Sequence, residues 1–216
     1  VLFRSKGLTV VNDWACLGQR TTSSGTVLAD NLQVEPFNLI PTWKSYDTPT
    51  LAGPFAQLTT AAIDAGIARA ALNDTVSFVN QFARPWIDAG VERAGDDPLT
   101  VYQIGALDSR LAAADALLEQ AGKVLDRYKH DLSEEAVALA SIAVARAKIF
   151  TTEAALEAAT RLFELGGTRS THPRYNYDRH WRNGRVHTLH DPVRWKYHLL
   201  GNWVLNGKRP ARHDWN

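Results

Sequence analysis

Residues 104–128 read IGALDSRLAAADALLEQAGKVLDRY. Ile104, Leu107, Leu111, Ala114, Leu118, Ala121, Leu125 and Tyr128 recur there in an unbroken alternation of three and four. That period lays one apolar stripe along a single face of a long helix. A stripe of this length has to be covered by other helices, and both flanks supply candidates. Downstream, Ser133 to Leu165 carries Leu139, Ile142, Ile149, Leu156 and Phe163 at helical spacing. Upstream, a helix from about Leu51 to Ala83 places Phe55, Leu58, Ala62, Leu72, Val76 and Val79 on one side. The many alanines allow close helix approach, so the expected fold is mainly α, an antiparallel helical bundle. Ser133 followed by Glu134 and Glu135 is a helix start, and Gly166-Gly167 is a helix stop. A last amphipathic helix is expected from Asp191-Pro192 through Trp195, Leu199 and Trp203 to about Asn206. Arg69, Arg146 and Glu153 fall on these stripes, which predicts buried ion pairs or a contact with another subunit.

Ahead of the bundle the pattern is different. Leu8 to Val11, Thr26 to Leu28 and Leu32 to Val34 are short β-rich pieces, punctuated by Gly25 and Asn31. Three such strands cannot cover both faces of a sheet, which suggests the last strands of a truncated β-domain. Pro36, Pro41 and Pro49 mark the passage into the helices. The expected division is residues 6–41 for the end of a middle β-domain, 42–50 for a linker and 51–216 for the helical domain. Residues 1–5, VLFRS, look like a non-native leader, because the chain opens on Val1, contains no methionine and begins like a translated sequencing adaptor.

Composition narrows the function. The chain has 216 residues, 45% hydrophobic and 22% charged, enough for a real core. Its formal charge of +1 offers no broad field for nucleic acid or an anionic membrane, and no apolar run approaches the length of a membrane helix. The lone Cys16 excludes an intramolecular disulfide and a thiolate metal site, so a cytoplasmic protein is expected.

Charge is concentrated instead in RHWRNGRVHTLHDP, residues 179–192, which holds three histidines, three arginines and an aspartate. His187 and His190 precede Asp191, read as a helix cap, and Pro192 at the first helical position. Imidazoles at a helix N-terminus are kept neutral by the dipole and can act as bases. A metal site is the competing use, although two histidines and Asp191 lack the i, i+4 spacing of the common zinc motif. Plain hydrogen bonding within a packed helix junction is the third. After Gly166-Gly167, the hydroxyls and guanidinium of Thr168, Arg169, Ser170 and Thr171 form either a phosphate cradle or a capped helix end with a solvated arginine. Arg84, before Pro85-Trp86, is a similar case.

Three stretches together, residues 17–26 (LGQRTTSSGT), Arg84-Pro85-Trp86-Ile87-Asp88, and Leu165-Gly166-Gly167-Thr168 through His190-Asp191-Pro192, resemble the acyl-CoA dehydrogenase superfamily. More narrowly, they resemble its flavin-dependent monooxygenase branch of sulfur-acquisition and dibenzothiophene monooxygenase-like enzymes. The resemblance covers nearly everything after Ser5. It implies a C-terminal helical bundle of the acyl-CoA dehydrogenase type and a homotetramer. It further implies a two-component enzyme that receives reduced FMN from a separate flavin reductase and transfers oxygen from a flavin C4a-hydroperoxide to a small organosulfur substrate. In that setting His187 and His190 would stand beside the flavin. Arg169, with Thr168, Ser170 and Arg84, would meet its phosphate across a subunit boundary. Trp14, Ser23 and Ser24 would wall the substrate pocket. Two departures stand out. The glutamate base of the dehydrogenases is missing from the stretch His187 to Pro192, and Phe82 stands where relatives tend to carry arginine. Two alternatives remain: an FAD-dependent acyl-CoA dehydrogenase, with Asp191 as its base, and a non-catalytic helical assembly module.

Overall fold

A computed structural model describes residues 6–216; the leader expected at residues 1–5 lies outside them. Its long helices are α1 (Ala52–Gln81), α2 (Pro98–Tyr128) and α3 (Glu134–Gly166), followed by the shorter α4 (Asp178–His187) and α5 (Arg194–Asn206). Ahead of them, β1 (Leu8–Val10) and β2 (Val27–Ala29) pair antiparallel, with Leu8 opposite Ala29. The third expected strand, Leu32 to Val34, does not form. The chain leaves β2 through Asn31 in the left-handed region and coils towards a 3-10 turn at Pro36–Asn38, leaving that segment with no sheet partner among the described residues.

The end signals act as their chemistry requires. Ser133 accepts a hydrogen bond from the Ala136 amide, and Asp97, ahead of Pro98, accepts from the Leu99 and Thr100 amides. Gly167 closes α3 at φ 63°, a conformation that costs glycine little. The Asp191 cap is a correction: α5 begins at Arg194 without a side-chain cap, and Asp191 lies buried in the preceding turn.

α3 packs against α1, α2, α4 and α5 and is therefore buried on most of its circumference. One core cluster joins Ala68, Ala71 and Leu72 of α1 to Leu107, Leu111 and Ala114 of α2 and to Ala154, Ala155 and Ala158 of α3. A second joins Leu51 and Leu58 to Ala121 and Leu125 and to Ala140, Val144 and Ala147. Early α1 thus meets late α2 and early α3, so α2 runs antiparallel to both neighbours. The stripe on α2 is the buried face, as its spacing predicts. The face assigned to α1 is corrected in part: Leu72 and Val79 are buried and Leu58 packs on the core, but Phe55, Ala62 and Val76 are exposed, while Ala61, Asp64, Ala65, Ala68, Thr75 and Phe78 turn inwards. Small side chains are selected there because α3 approaches closely.

The buried ion pairs expected of Arg69, Arg146 and Glu153 do not form among the described residues. All three are exposed. Arg69 pairs with Asp115 at 2.5 Å, and Glu153 accepts from the Tyr197 hydroxyl. Among the described residues no helix is long and apolar enough to cross a membrane.

Candidate active site

The segment before Asp191 is largely helical. Asp178–His187 forms α4, which lies antiparallel on α1: His180 meets Asp74, Gly184 faces Ile67 and His187 meets Asp64. His187 is consequently the last residue of a helix rather than a group outside a helix N-terminus, so the expected positive dipole end is replaced by a negative one and a carboxylate. The first part of the segment is structural. Asp74 takes His180 Nε2 at 2.7 Å and Arg179 at 2.6 Å, and Arg182 pairs with Asp178 at 2.8 Å. Burial pushes the His180 imidazole below its ordinary value against the opposing bond to Asp74.

The β-segment docks on α4 at one close approach. A Cβ on Gly18 would sit 2.1 Å from the Arg182 carbonyl oxygen, so only glycine lets the backbones meet. The Gln19 amide donates to Asn183 Oδ1 at 2.8 Å, and Arg182 donates to the Leu17 carbonyl at 3.3 Å. The Trp14 indole is held by its bond to the Gln19 carbonyl at 2.8 Å. Between these parts lies a cleft of about 580 Å³, lined on one side by Trp14, Cys16, Gln19 and Ser24 and on the other by Val186, His187, Leu189 and His190. Four of the expected site residues therefore come together. Ser23 does not line the cleft; it sits in a left-handed turn, exposed.

Behind the histidine wall lies a buried charge network that the sequence does not announce. His187 Nδ1 is 2.6 Å from Asp64 Oδ1, and Asp64 Oδ2 accepts from Lys148 Nζ at 3.1 Å and Thr152 Oγ1 at 2.9 Å. Burial opposes the Asp64 charge. The His187 bond, the Lys148 charge and the Thr152 hydroxyl outweigh it and hold the carboxyl below its usual range. Lys148 also lies 3.9 Å from Asp191, which stands 3.6 Å from Lys196 and 3.6 Å from His190 Nδ1. Burial pulls the Lys196 ammonium below its ordinary value, with Asp191 resisting. Neither Asp191 oxygen has a hydrogen-bond partner among the described residues. Lone charges inside alanine stripes were the available signal, and it pointed equally at Arg69 and Arg146.

A second cleft, also about 580 Å³, opens where α1 and α3 end, between Arg84, Trp86, Thr168 and Arg169. Arg169 lies over the Phe82 ring, 4.9 Å from its centre. The acids lining this cleft are occupied: Asp97 caps α2, and Glu164 pairs with Arg161 at 2.5 Å. Arg84 and Arg169 make no ion pair among the described residues. Ser170 is turned away, buried with its hydroxyl donating to the Gly167 carbonyl at 2.7 Å. Asp64, under the histidines, and Phe82, under Arg169, are about 27 Å apart along α1 at 1.5 Å per residue. No set of three or more His, Cys, Asp or Glu groups among the described residues is placed to hold a metal ion.

A family model described as the C-terminal domain of acyl-CoA dehydrogenases matches residues 58–195. The chain belongs to the acyl-CoA dehydrogenase family. Over 216 residues it is 38% identical to a dibenzothiophene monooxygenase of Mycolicibacterium goodii, covering 95% of this chain and 52% of that protein. Over 210 residues it is 35% identical to a probable FMNH2-dependent monooxygenase, SfnC, of Pseudomonas putida, with 95% and 53% covered. The crystal structure of TdsC from Paenibacillus sp. A11-2 with FMN and indole superposes with a TM-score of 0.93 at 32% identity, over 98% of this chain and 56% of that one. The chain spans about half the length of the curated relatives it matches.

Proposed function

We propose that the whole protein is a monooxygenase dependent on reduced FMN, delivered by a separate flavin reductase, that places one oxygen atom of O2 on a small organosulfur compound. The observation that carries this is the lining of the Trp14–His190 cleft, which among the described residues presents two imidazoles and no carboxylate. Dehydrogenation of an acyl thioester needs a base in contact with the substrate. Asp191, the candidate for that base, is buried behind the wall against Lys148 and Lys196.

The residues present suit FMN. Two guanidiniums without acid partners, the Thr168 hydroxyl and the open backbone at Gly167 form a donor set for a phosphate, and the Trp14 cleft is largely apolar. Bound reduced FMN supplies the electrons that activate oxygen. His187 and His190 supply ring nitrogens that donate to, or take a proton from, oxygen atoms on which charge develops. A span of about 27 Å exceeds one FMN, so Arg169 of one copy serves the histidine cleft of another, as in a homotetramer. The same proposal assigns residues 6–41 to the end of a middle β-domain, 42–50 to a linker and 51–216 to the bundle domain, in a cytoplasmic enzyme.

The test is oxygen uptake by the whole protein with a flavin reductase, FMN and dibenzothiophene or a smaller sulfone or sulfinate. Reductase-dependent uptake that yields oxygenated product and disappears in His190→Ala supports the proposal. Anaerobic bleaching of bound flavin by an acyl-CoA without a reductase overturns it in favour of the dehydrogenase. Absence of both responses indicates an assembly module.

A further inference from the structure

We propose that Asp64 is the positioning residue for His187: it holds the imidazole by Nδ1–H and leaves Nε2 as the proton-handling atom of the cleft, while Lys148 and Thr152 hold Asp64 itself. The inference rests on the Trp14–His190 cleft being the reaction site.

Asp64 and Lys148 are both fully buried, and side chains of that kind persist in a core only when paired and hydrogen-bonded. Asp64 is ionised at neutral pH, because its surroundings hold its carboxyl below the usual range. An ionised carboxylate only accepts hydrogen bonds, so the Nδ1 atom 2.6 Å from Oδ1 must carry a proton. In a neutral ring with Nδ1 protonated, Nε2 holds the lone pair and is the nitrogen free to act. The ring cannot easily flip, since that would break this bond and leave a buried carboxylate one donor short.

The wiring extends to the other histidine. Lys148 is shared between Asp64 and Asp191, and Asp191 lies 3.6 Å from His190 Nδ1. Each cleft imidazole thus has a buried carboxylate behind it. Lys148 and Lys196 balance the two negative charges, so neither carboxylate depends on a protonated histidine. A neutral His187 with its Nε2 lone pair free is therefore compatible with two ionised carboxylates in the core.

The direct test is NMR of the chain labelled with nitrogen-15 at histidine, reading which ring nitrogen bears the proton when each imidazole is neutral. The expected result is His187 as a single Nδ1–H tautomer in the native protein. This preference should be lost in Asp64→Asn and weakened in Thr152→Val, with exposed His198 unchanged. A native His187 protonated on Nε2, or an Asp64→Asn spectrum identical to native at His187, overturns the proposal. Should Asp64→Asn fail to fold, the native spectrum and Thr152→Val still decide. In the whole protein, Asp64→Asn should lower kcat by roughly 10²- to 10⁴-fold with little change in flavin affinity, as expected when an imidazole is held in the wrong tautomer. Unchanged kcat overturns the proposal. If the native whole protein shows no reductase-dependent turnover, the proposed function falls, while the NMR result still decides the role of Asp64.

Discussion

Replacing Lys148 by methionine probes the buried network directly. The ammonium is fully buried, 3.1 Å from Asp64 and 3.9 Å from Asp191. Methionine has a similar length and flexibility, so the change removes a charge without opening a large cavity. Deleting one member of a buried ion pair costs about 3–5 kcal/mol, because the remaining charge is stranded away from water. Here Asp64 keeps His187 and Thr152, and Asp191 keeps Lys196, which places the expected loss near the lower bound, about 3 kcal/mol. For a chain of this size that corresponds to a fall in Tm of about 6–12 °C. Thermal melts at neutral pH should be recorded for the native chain, Lys148→Met, Asp64→Asn and the double variant. The double variant should recover about 1–3 kcal/mol relative to the sum of the single losses, because neither charge is then stranded. A Lys148→Met protein melting at or above native, or strictly additive losses, would refute the pairing.

Acid should destabilise the same region in a definite direction. The folded value of Asp64 lies below its unfolded value, so its contribution is complete above the ordinary carboxylate pKa of about 3.9 and is lost as pH falls through the folded value. Acid-unfolding curves of Asp64→Asn should therefore be flatter than native below about pH 4. Gly18→Ala should drive its methyl into the Arg182 carbonyl, cost about 1–3 kcal/mol and speed hydrogen exchange in residues 14–24 while α3 keeps its protection. Arg169→Ala should weaken FMN binding to the whole protein by about 10- to 100-fold, the loss of a charge-assisted contact of about 1.5–3 kcal/mol, as read by flavin fluorescence.

The bundle was legible where one helix face is apolar and the other is not. α2 meets that condition, and Leu107, Leu111, Ala114 and Leu125 are buried as their spacing predicts. α1 does not. Its inner face mixes alanine, threonine, aspartate and glutamine with Leu72, Phe78 and Val79, while Phe55 and Val76 lie outside, so bulk alone does not mark the buried side. α4 escaped notice because DRHWRNGRVH has almost no apolar residues; its helix is held by Asp64 and Asp74, more than a hundred residues away in sequence. His187 and His190 stood out through local crowding of titratable groups. Asp64 and Lys148 did not, since a buried charge looks like a solvated one until its partner is known. Trp14 and Ser24 joined the histidines only through the fold, at the Gly18 contact.

That contact separates two walls of unequal tolerance to change. One wall of the histidine cleft is anchored in the alanine-packed helices, where almost any change disturbs the core. The opposite wall, residues 14–24, rests on α4 through a glycine backbone contact and two hydrogen bonds. Substitutions at Trp14, Cys16 or Ser24 can reshape the opening without repacking the bundle. The histidine wall is thus held by the same forces that keep the bundle folded, while the shape of the opposite wall can change at little cost in stability.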